Sequence, residues 1–479
     1  MIMEKTIYKF IFLVIAILLN SPELYSQTKY KKQQSEIQKV ISHSYENNLF
    51  NGAILVTQDG EIIYKNALGI ANKETKKNLT TESSFYLASV SKQFTTMAIM
   101  ILKEQNKLKY TDVLSKYFPE FPKYADHVTI RQLMTHTAGI PDHYNLGAYK
   151  AGLTNKDVIN LLIKQKQLDF KPGTKHRYSN GGYILLADIV EKVAKLPFHI
   201  FMKQNIFKPL GMDHTLVFDK STAKIDNRAI GYNHLGELDD YEILTTGAGG
   251  IYSTLDDLHK WDQALYTDRL ISQKTLEEAF TPATLTDGNV TKYGFGWYIK
   301  NDNKNKSVVH LGSLSGYKTL LKRNFDDNSG YIILTNKGAA TPIMDISRSL
   351  DRILDNKPYT LPKIPITREL LAALKDYEAQ RAITKTEELL KNNPEKYSAN
   401  KFYMTGFGYG YLSEEKTNTA IAIFKLMINL YPNSVKANEG LADAYLANGQ
   451  TAEAISSYKK VLTLDPENQS VKSELAKLN

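Results

Sequence analysis

Residues 84–102, Ser-Phe-Tyr-Leu-Ala-Ser-Val-Ser-Lys-Gln-Phe-Thr-Thr-Met-Ala-Ile-Met-Ile-Leu, constrain this chain more than any other stretch. Val90, Phe94, Met97, Ala98, Ile101 and Leu102 make one apolar stripe at helical spacing, and Ile99 and Met100 carry apolar bulk to the other side. A helix that is apolar nearly all round is buried. Lys92 sits inside it, three residues after Ser89 and therefore on the same face. Burial lowers the pKa of a lysine. A neutral lysine beside a serine can activate that hydroxyl as a nucleophile. Ser89 also opens the helix, where the macrodipole favours developing negative charge.

Ser-x-x-Lys by itself is common. It starts here at Ser26, Ser89, Ser221, Ser315, Ser398, Ser413, Ser456 and Ser457. A surface serine and lysine one helical turn apart is the plain reading of the others. Only Ser89 opens a buried helix.

With 479 residues, two to three domains are expected. The net charge of +9 is spread along the chain, with no basic stripe interleaved with aromatics, so nucleic acid is not expected as a partner. The absence of cysteine removes disulfides, thiol catalysis, thiolate metal sites and a lipidated N-terminal cysteine. There is no metal-ligand spacing and no phosphate-cradling glycine loop, so no cofactor is expected. Lys5 and Lys9 flank the start of the apolar run Phe10–Leu19, which Asn20, Ser21 and Pro22 break. Such a run is too short to span a bilayer comfortably. With Ser26 as the small residue at the cut, residues 1–26 read as a signal peptide. The expected location is the periplasm or cell envelope, with a membrane anchor as the outcome if the segment is kept.

After a polar spacer at 27–35, Ile37–Tyr45 reads as an amphipathic helix. Two β-rich runs, 52–58 and 61–65, flank Asp59-Gly60, a strong hairpin signal because the tight turn needs positive φ. Residues 105–200 are expected to be mostly helical. Within them Tyr178-Ser179-Asn180 lies in a tight loop before a helix from Tyr183 to Val193. Tyrosine can relay a proton, and asparagine can hold an amide by donating and accepting. Tyr-x-Asn recurs at Tyr45, Tyr64 and Tyr431, so it too is weak alone. A strand follows at 307–312, then a hairpin of 317–325 and 331–335. Strands at both ends with helices between predict one layer whose sheet is assembled from distant segments.

Beyond Pro358, Pro362 and Pro365 the pattern changes. Ala420-Ile421, Phe424-Lys425, Leu430 and Pro432 recur 34 residues later as Ala454-Ile455, Tyr458-Lys459, Leu464 and Pro466. Gly406 and Tyr411 recur as Gly440 and Tyr445 at the same offset. Ala382-Ile383 and Pro394 sit 38 residues before their counterparts, which predicts an irregular third unit with an insertion. This period and these residues resemble tetratricopeptide repeats. The resemblance implies helical hairpins that bind segments of another protein.

Three motifs stand in one order: Ser89-Val90-Ser91-Lys92, Tyr178-Ser179-Asn180 and His310-Leu311-Gly312. Leu133–Pro141, Ile206–Met212 and Gly247–Thr254 with Asp256-Asp257-Leu258 accompany them. Together they resemble the serine β-lactamase and penicillin-binding superfamily, in its class C β-lactamase-related branch. The resemblance implies an α/β (α+β) transpeptidase-like fold: an antiparallel sheet flanked by helices plus a helical region, followed by an all-α solenoid. The implied domains are a hydrolase at 27–355, a linker at 356–366 and repeats at 367–479. Ser89 would be acylated, Lys92 and Tyr178 would move its proton, and Asn180 would hold a substrate amide. His310 would face the substrate from an edge strand beside Gly312. The N–H groups of Ser89 and Ser313 would form the oxyanion hole. His136 reads as structural. Histidine in place of lysine at 310 removes a fixed charge for a substrate carboxylate. An ester or a D-amino-acid peptide is then favoured over a penicillin as the substrate, which would be a small molecule or derived from peptidoglycan. The rival reading is a catalytically silent fold that binds peptidoglycan or a protein through its repeats.

Overall fold

The computed structural model describes residues 29–478 except 149, 223, 234–235, 241, 243, 303–304 and 339–340. The signal peptide expected at 1–26 lies outside the described residues. The chain forms two compact units. The first runs to Ile343 and includes Leu350–Tyr359. The second comprises Met344–Ser349 and the chain from Thr360 onward.

The first unit is built on helix α1 (Lys31–Glu46) and a six-stranded sheet. Its strands are β1 (Gly52–Gln58), β2 (Glu61–Leu68), β3 (Tyr298–Asp302), β4 (Asn305–Leu314), β5 (Tyr317–Asn324) and β6 (Ser329–Thr335). The order across the sheet is β2-β1-β6-β5-β4-β3, and every pairing is antiparallel. The β1–β2 turn uses Asp59 and Gly60 at φ +53° and +79°, as the hairpin chemistry requires. Ile54 on β1 lies opposite Ile333 on β6, so the first and last strands of the layer pair inside the sheet. α1 is longer than the amphipathic pattern indicated and takes up part of the expected polar spacer.

Helix α2 (Lys92–Glu104) is buried at every position from Lys92 to Leu102. It packs against α3 (Asn180–Ala194). Burial pushes the Lys92 amine down to about 7 from 10.5. A shift of that size represents on the order of 5 kcal/mol of penalty on the charged form. Phe94, Met97, Ile99, Ile101 and Leu102 are all buried beside it. At roughly 1.5–3 kcal/mol each, their burial outweighs that penalty, so the helix holds the lysine in the core.

Residues 105–200 hold less helix than their composition suggested. Besides α3 and the start of a helix at Phe198–Met202 they contain the α-helices Ile130–Met134 and Asn155–Ile163, joined by long loops. Both short helices start on a threonine capping box, at Thr129 and Thr154. A further helix, α4 (Leu255–Ala264), starts at Thr254 and packs against β1 and β6. Helix α5 (Ile343–Leu354) follows the sheet.

The second unit is helical. A short helix, Thr367–Ala373, precedes α6 (Ala379–Asn392), α7 (Lys401–Ser413), α8 (Thr417–Leu430), α9 (Val435–Ala447), α10 (Thr451–Leu464) and α11 (Gln469–Leu478). The 34-residue period places α8 and α10 in equivalent positions, with Phe424 and Tyr458 both buried. The ring of Phe424 lies against the backbones of Gly408 and Gly440, where added Cβ atoms would come within 2.4 and 2.3 Å of it. Its tight contact in the earlier repeat is therefore Gly408. Gly406, the periodic counterpart of Gly440, faces open space. Asp443 on α9 accepts hydrogen bonds from the hydroxyls of Tyr409 at 2.8 Å and Tyr458 at 2.5 Å, tying α7, α9 and α10 together. The segment expected as a linker at 356–366 is partly structured, because Ile364 and Pro365 pair in parallel with Tyr397 and Ser398. That ladder supplies the insertion that lengthens the earliest repeat.

Candidate active site

Ser89 lies in a single 3-10 turn, Ala88–Ser91, that runs directly into α2. Ala88 just before it holds φ at +48°, a left-handed conformation costly for a residue with a Cβ. Lys92 is fully buried and makes three contacts through Nζ. They reach Ser89 Oγ at 2.9 Å, Asn180 Oδ1 at 2.8 Å and the Ala248 carbonyl at 2.8 Å. A neutral amine has two hydrogens and one lone pair. With both hydrogens given to the amide and carbonyl oxygens, the lone pair is left for the Ser89 hydroxyl. The Lys92 nitrogen also stands 4.8 Å from the centroid of the Tyr178 ring.

Tyr178 comes from the loop before α3, with its ring beside Lys92 Nζ. Burial holds its pKa well above 10, and the nearby Ser89 hydroxyl pulls it back only in part. Asn180 is not in the loop. Ser179 caps the helix by accepting from the Gly182 N–H, so α3 starts at Asn180 itself, three residues earlier than expected. Both ends of the Asn180 amide are engaged inside the protein: Oδ1 by Lys92, and Nδ2 by Asp142 at 2.8 Å.

His136 supports this loop. Its Nδ1 accepts from the Ser179 N–H at 3.2 Å, and its ring lies 4.2 Å from that of Tyr178. That agrees with the structural role read for it. Burial first, and then the Lys92 charge, keep it neutral.

His310 requires a correction. It is 1% exposed and does not line the cavity at Ser89. Its Nδ1 is 2.8 Å from the Leu311 carbonyl, which can only accept, so Nδ1 carries the proton. Nε2 is then the acceptor for the Tyr293 hydroxyl, at 2.9 Å. Burial, followed by the Lys92 charge, pushes its pKa down to about 3. The ring is therefore neutral and committed on both sides. It packs behind Tyr178, with 6.3 Å between ring centroids, and does not turn to the substrate side. β3 pairs with β4 only as far as Val309, opposite Tyr298, so from His310 onward β4 is the rim of the sheet; it is the direction of the ring, not the place of the strand, that differs from the expectation. Gly312 is likewise a packing position. A Cβ there would lie 2.2 Å from both the Leu87 carbonyl and Thr319 Oγ1, so the missing side chain lets β4 press against the Ser89 turn.

Ser313 does reach the site. With Ser89 and Asn180 it lines a cavity of about 50 Å³, whose other walls include Tyr86, His143, Tyr144, Thr245, Ala248, Gly249 and Leu314. No lysine or arginine is among the lining residues. His143 is 1% exposed, and neither ring nitrogen has a hydrogen-bond partner among the described residues. Asp142, His143 and Ala248 were assigned no role from sequence. The first two follow directly after the stretch ending at Pro141, and Ala248 lies within the Gly247–Thr254 stretch, so position was the available signal. Among the described residues no three His, Asp or Glu side chains group as metal ligands.

An antiparallel sheet backing a serine that meets a buried lysine is the arrangement of a serine hydrolase. Comparison with known proteins says which kind. Residues 37–353 match the Beta-lactamase family, and residues 411–478 match a tetratricopeptide repeat family. Penicillin-binding protein 4* of Bacillus subtilis (strain 168) is 34% identical over 71% of this chain and 80% of its own length. The octameric penicillin-binding protein homologue from Pyrococcus abyssi superposes with a TM-score of 0.60 at 26% identity, over 67% of this chain and 77% of that one. A D-amino acid amidase from Ochrobactrum anthropi shares the fold, with a TM-score of 0.59 at 24% identity over 68% of this chain and 98% of that one. The chain belongs to the β-lactamase family of serine hydrolases and carries tetratricopeptide repeats at its C-terminal end.

Proposed function

We propose that the protein is an exported hydrolase that acts through an acyl-enzyme on Ser89, taking a neutral ester or a D-amino-acid amide. The observation that carries this reading is the 2.9 Å approach of a fully buried Lys92 to the Ser89 hydroxyl. Neutral Lys92 takes the hydroxyl proton as Oγ bonds to the substrate carbonyl carbon. The carbonyl oxygen becomes an oxyanion, received by the N–H groups of Ser89 and Ser313; one such donor is typically worth about 10²–10³ in rate. Tyr178 hands a proton to the departing alcohol or amine and is restored by Lys92. Water then enters, loses its proton to the same pair, and releases the acid and free Ser89.

The walls support this substrate class. The cavity has no lysine or arginine among its lining residues, and His310 is buried and neutral. A substrate carboxylate therefore finds no lysine or arginine in the wall of this cavity. A cavity of about 50 Å³ takes the reacting carbonyl and a short acyl group, with the rest of the substrate outside. The repeats are the docking module for a protein partner, and the basic N-terminal segment with its apolar run directs export. Purified protein assayed against short-chain esters, D-amino-acid amides and a cephalosporin tests the reading. Turnover of an ester or amide above that of the cephalosporin is expected; cephalosporin turnover alone contradicts it. N-terminal sequencing that finds Met1 on membrane-bound protein contradicts cleavage at Ser26.

A further inference from the structure

We propose that Asp142 is a positioning residue for this reaction: it fixes the Asn180 amide with its oxygen toward Lys92 and is, among the described residues, the carboxylate whose charge acts on that lysine.

Asp142 is 8% exposed and follows Pro141 in the loop packed against the start of α3. One carboxylate oxygen, Oδ2, accepts from both the backbone N–H and the side-chain Nδ2 of Asn180, each at 2.8 Å. The other, Oδ1, accepts from the Tyr144 N–H at 3.0 Å. The two ends of an amide differ chemically. A carboxylate takes only donors, so Nδ2 must face Asp142 and Oδ1 must face Lys92. Turned over, the amide would set its NH₂ against the Lys92 hydrogens and its oxygen against the carboxylate. Asp142 thereby decides where the Lys92 hydrogens go. With them on Asn180 Oδ1 and the Ala248 carbonyl, the lone pair stays on the Ser89 side.

The charge matters as well. The titratable groups around Lys92 are His136, His143, His310, Tyr178, Tyr183 and Asp142. Burial lowers the three histidines toward the neutral form, and it raises both tyrosines. Asp142 alone opposes the burial that drives Lys92 to lose its proton. Removing its charge must therefore lower the pH at which Lys92 becomes a base.

The proposal rests on Ser89 as nucleophile and Lys92 as base, and the experiment separates the two claims. The rate of Ser89 labelling by a fluorophosphonate is measured against pH in the full chain. Wild-type protein that takes no label defeats the underlying reading. For Asp142→Asn the midpoint of the acid limb should move to lower pH by about one unit. Its plateau should fall by up to about 10²-fold, because the amide is no longer held. A labelled wild type with an unshifted Asp142→Asn midpoint overturns the proposal alone. Should Asp142→Asn not fold, Asp142→Glu keeps the charge and displaces it by one methylene. It should hold the midpoint and lower the plateau, and a wild-type plateau overturns the proposal.

Discussion

Lys92 Nζ lies 2.9 Å from Ser89 Oγ, and among the described residues no carboxylate bonds to it. Its other two partners are neutral oxygens, on Asn180 and Ala248. With its pKa lowered to about 7 by burial, a lysine held this way reaches the neutral form that a base for a serine requires.

The first prediction concerns pH. Burial lowers the Lys92 pKa to about 7. Below that pH the amine is protonated and has no lone pair, so turnover should be low. It should rise with pH through about 7 and level off above it. Initial rates on a short-chain ester across the range give the midpoint. A limb centred on the ordinary lysine value of about 10.4 would mean that Lys92 is solvated and charged.

Tyr178 should carry the proton to the leaving group. Tyr178→Phe keeps the ring over Lys92 and removes only the hydroxyl. Turnover should fall about 10²–10⁴-fold with the thermal midpoint little changed. Full activity in this variant would leave Tyr178 as a packing residue.

Gly312→Ala tests the close approach of β4 to the Ser89 turn. The added methyl would stand 2.2 Å from the Leu87 carbonyl, which is backbone and cannot swing aside. A loss of about 1–3 kcal/mol of stability is expected, with reduced turnover as Ser313 shifts. Denaturant titration with a parallel activity assay reads both. Wild-type stability would show that the strand relaxes freely.

The Ser89–Lys92 pair and the 34-residue repeat were legible because each leaves a local, periodic mark. Helical spacing exposes a lysine on a buried face, and a repeat exposes itself by recurrence. The Asp59-Gly60 hairpin was legible because its φ requirement is chemical. The misreadings share a different cause. His310 stands in a motif position, but its direction depends on Tyr293 and on which nitrogen Leu311 engages, and these are tertiary facts. Asn180 fell in a loop because the helical pattern is read from Tyr183, whereas the Ser179 cap starts the helix at Asn180. Asp142 carries no motif of its own. Its role exists only because the 141–148 loop folds onto the start of α3.

The repeats should fold and fail on their own terms. Gly440→Ala would drive a methyl into the Phe424 ring. A loss of about 1–3 kcal/mol is expected in the helical unit, while ester hydrolysis stays at the wild-type rate. A matching loss of turnover would join the two units functionally.

The central claim is that Ser89 becomes covalently acylated with Lys92 as its base. Intact-protein mass spectrometry after exposure to a fluorophosphonate, followed by peptide mapping, tests it most directly. One adduct is expected, on the peptide containing Ser89. It should be absent in Ser89→Ala and strongly slowed in Lys92→Ala. An adduct on any other serine, or folded protein that takes none, would contradict the account.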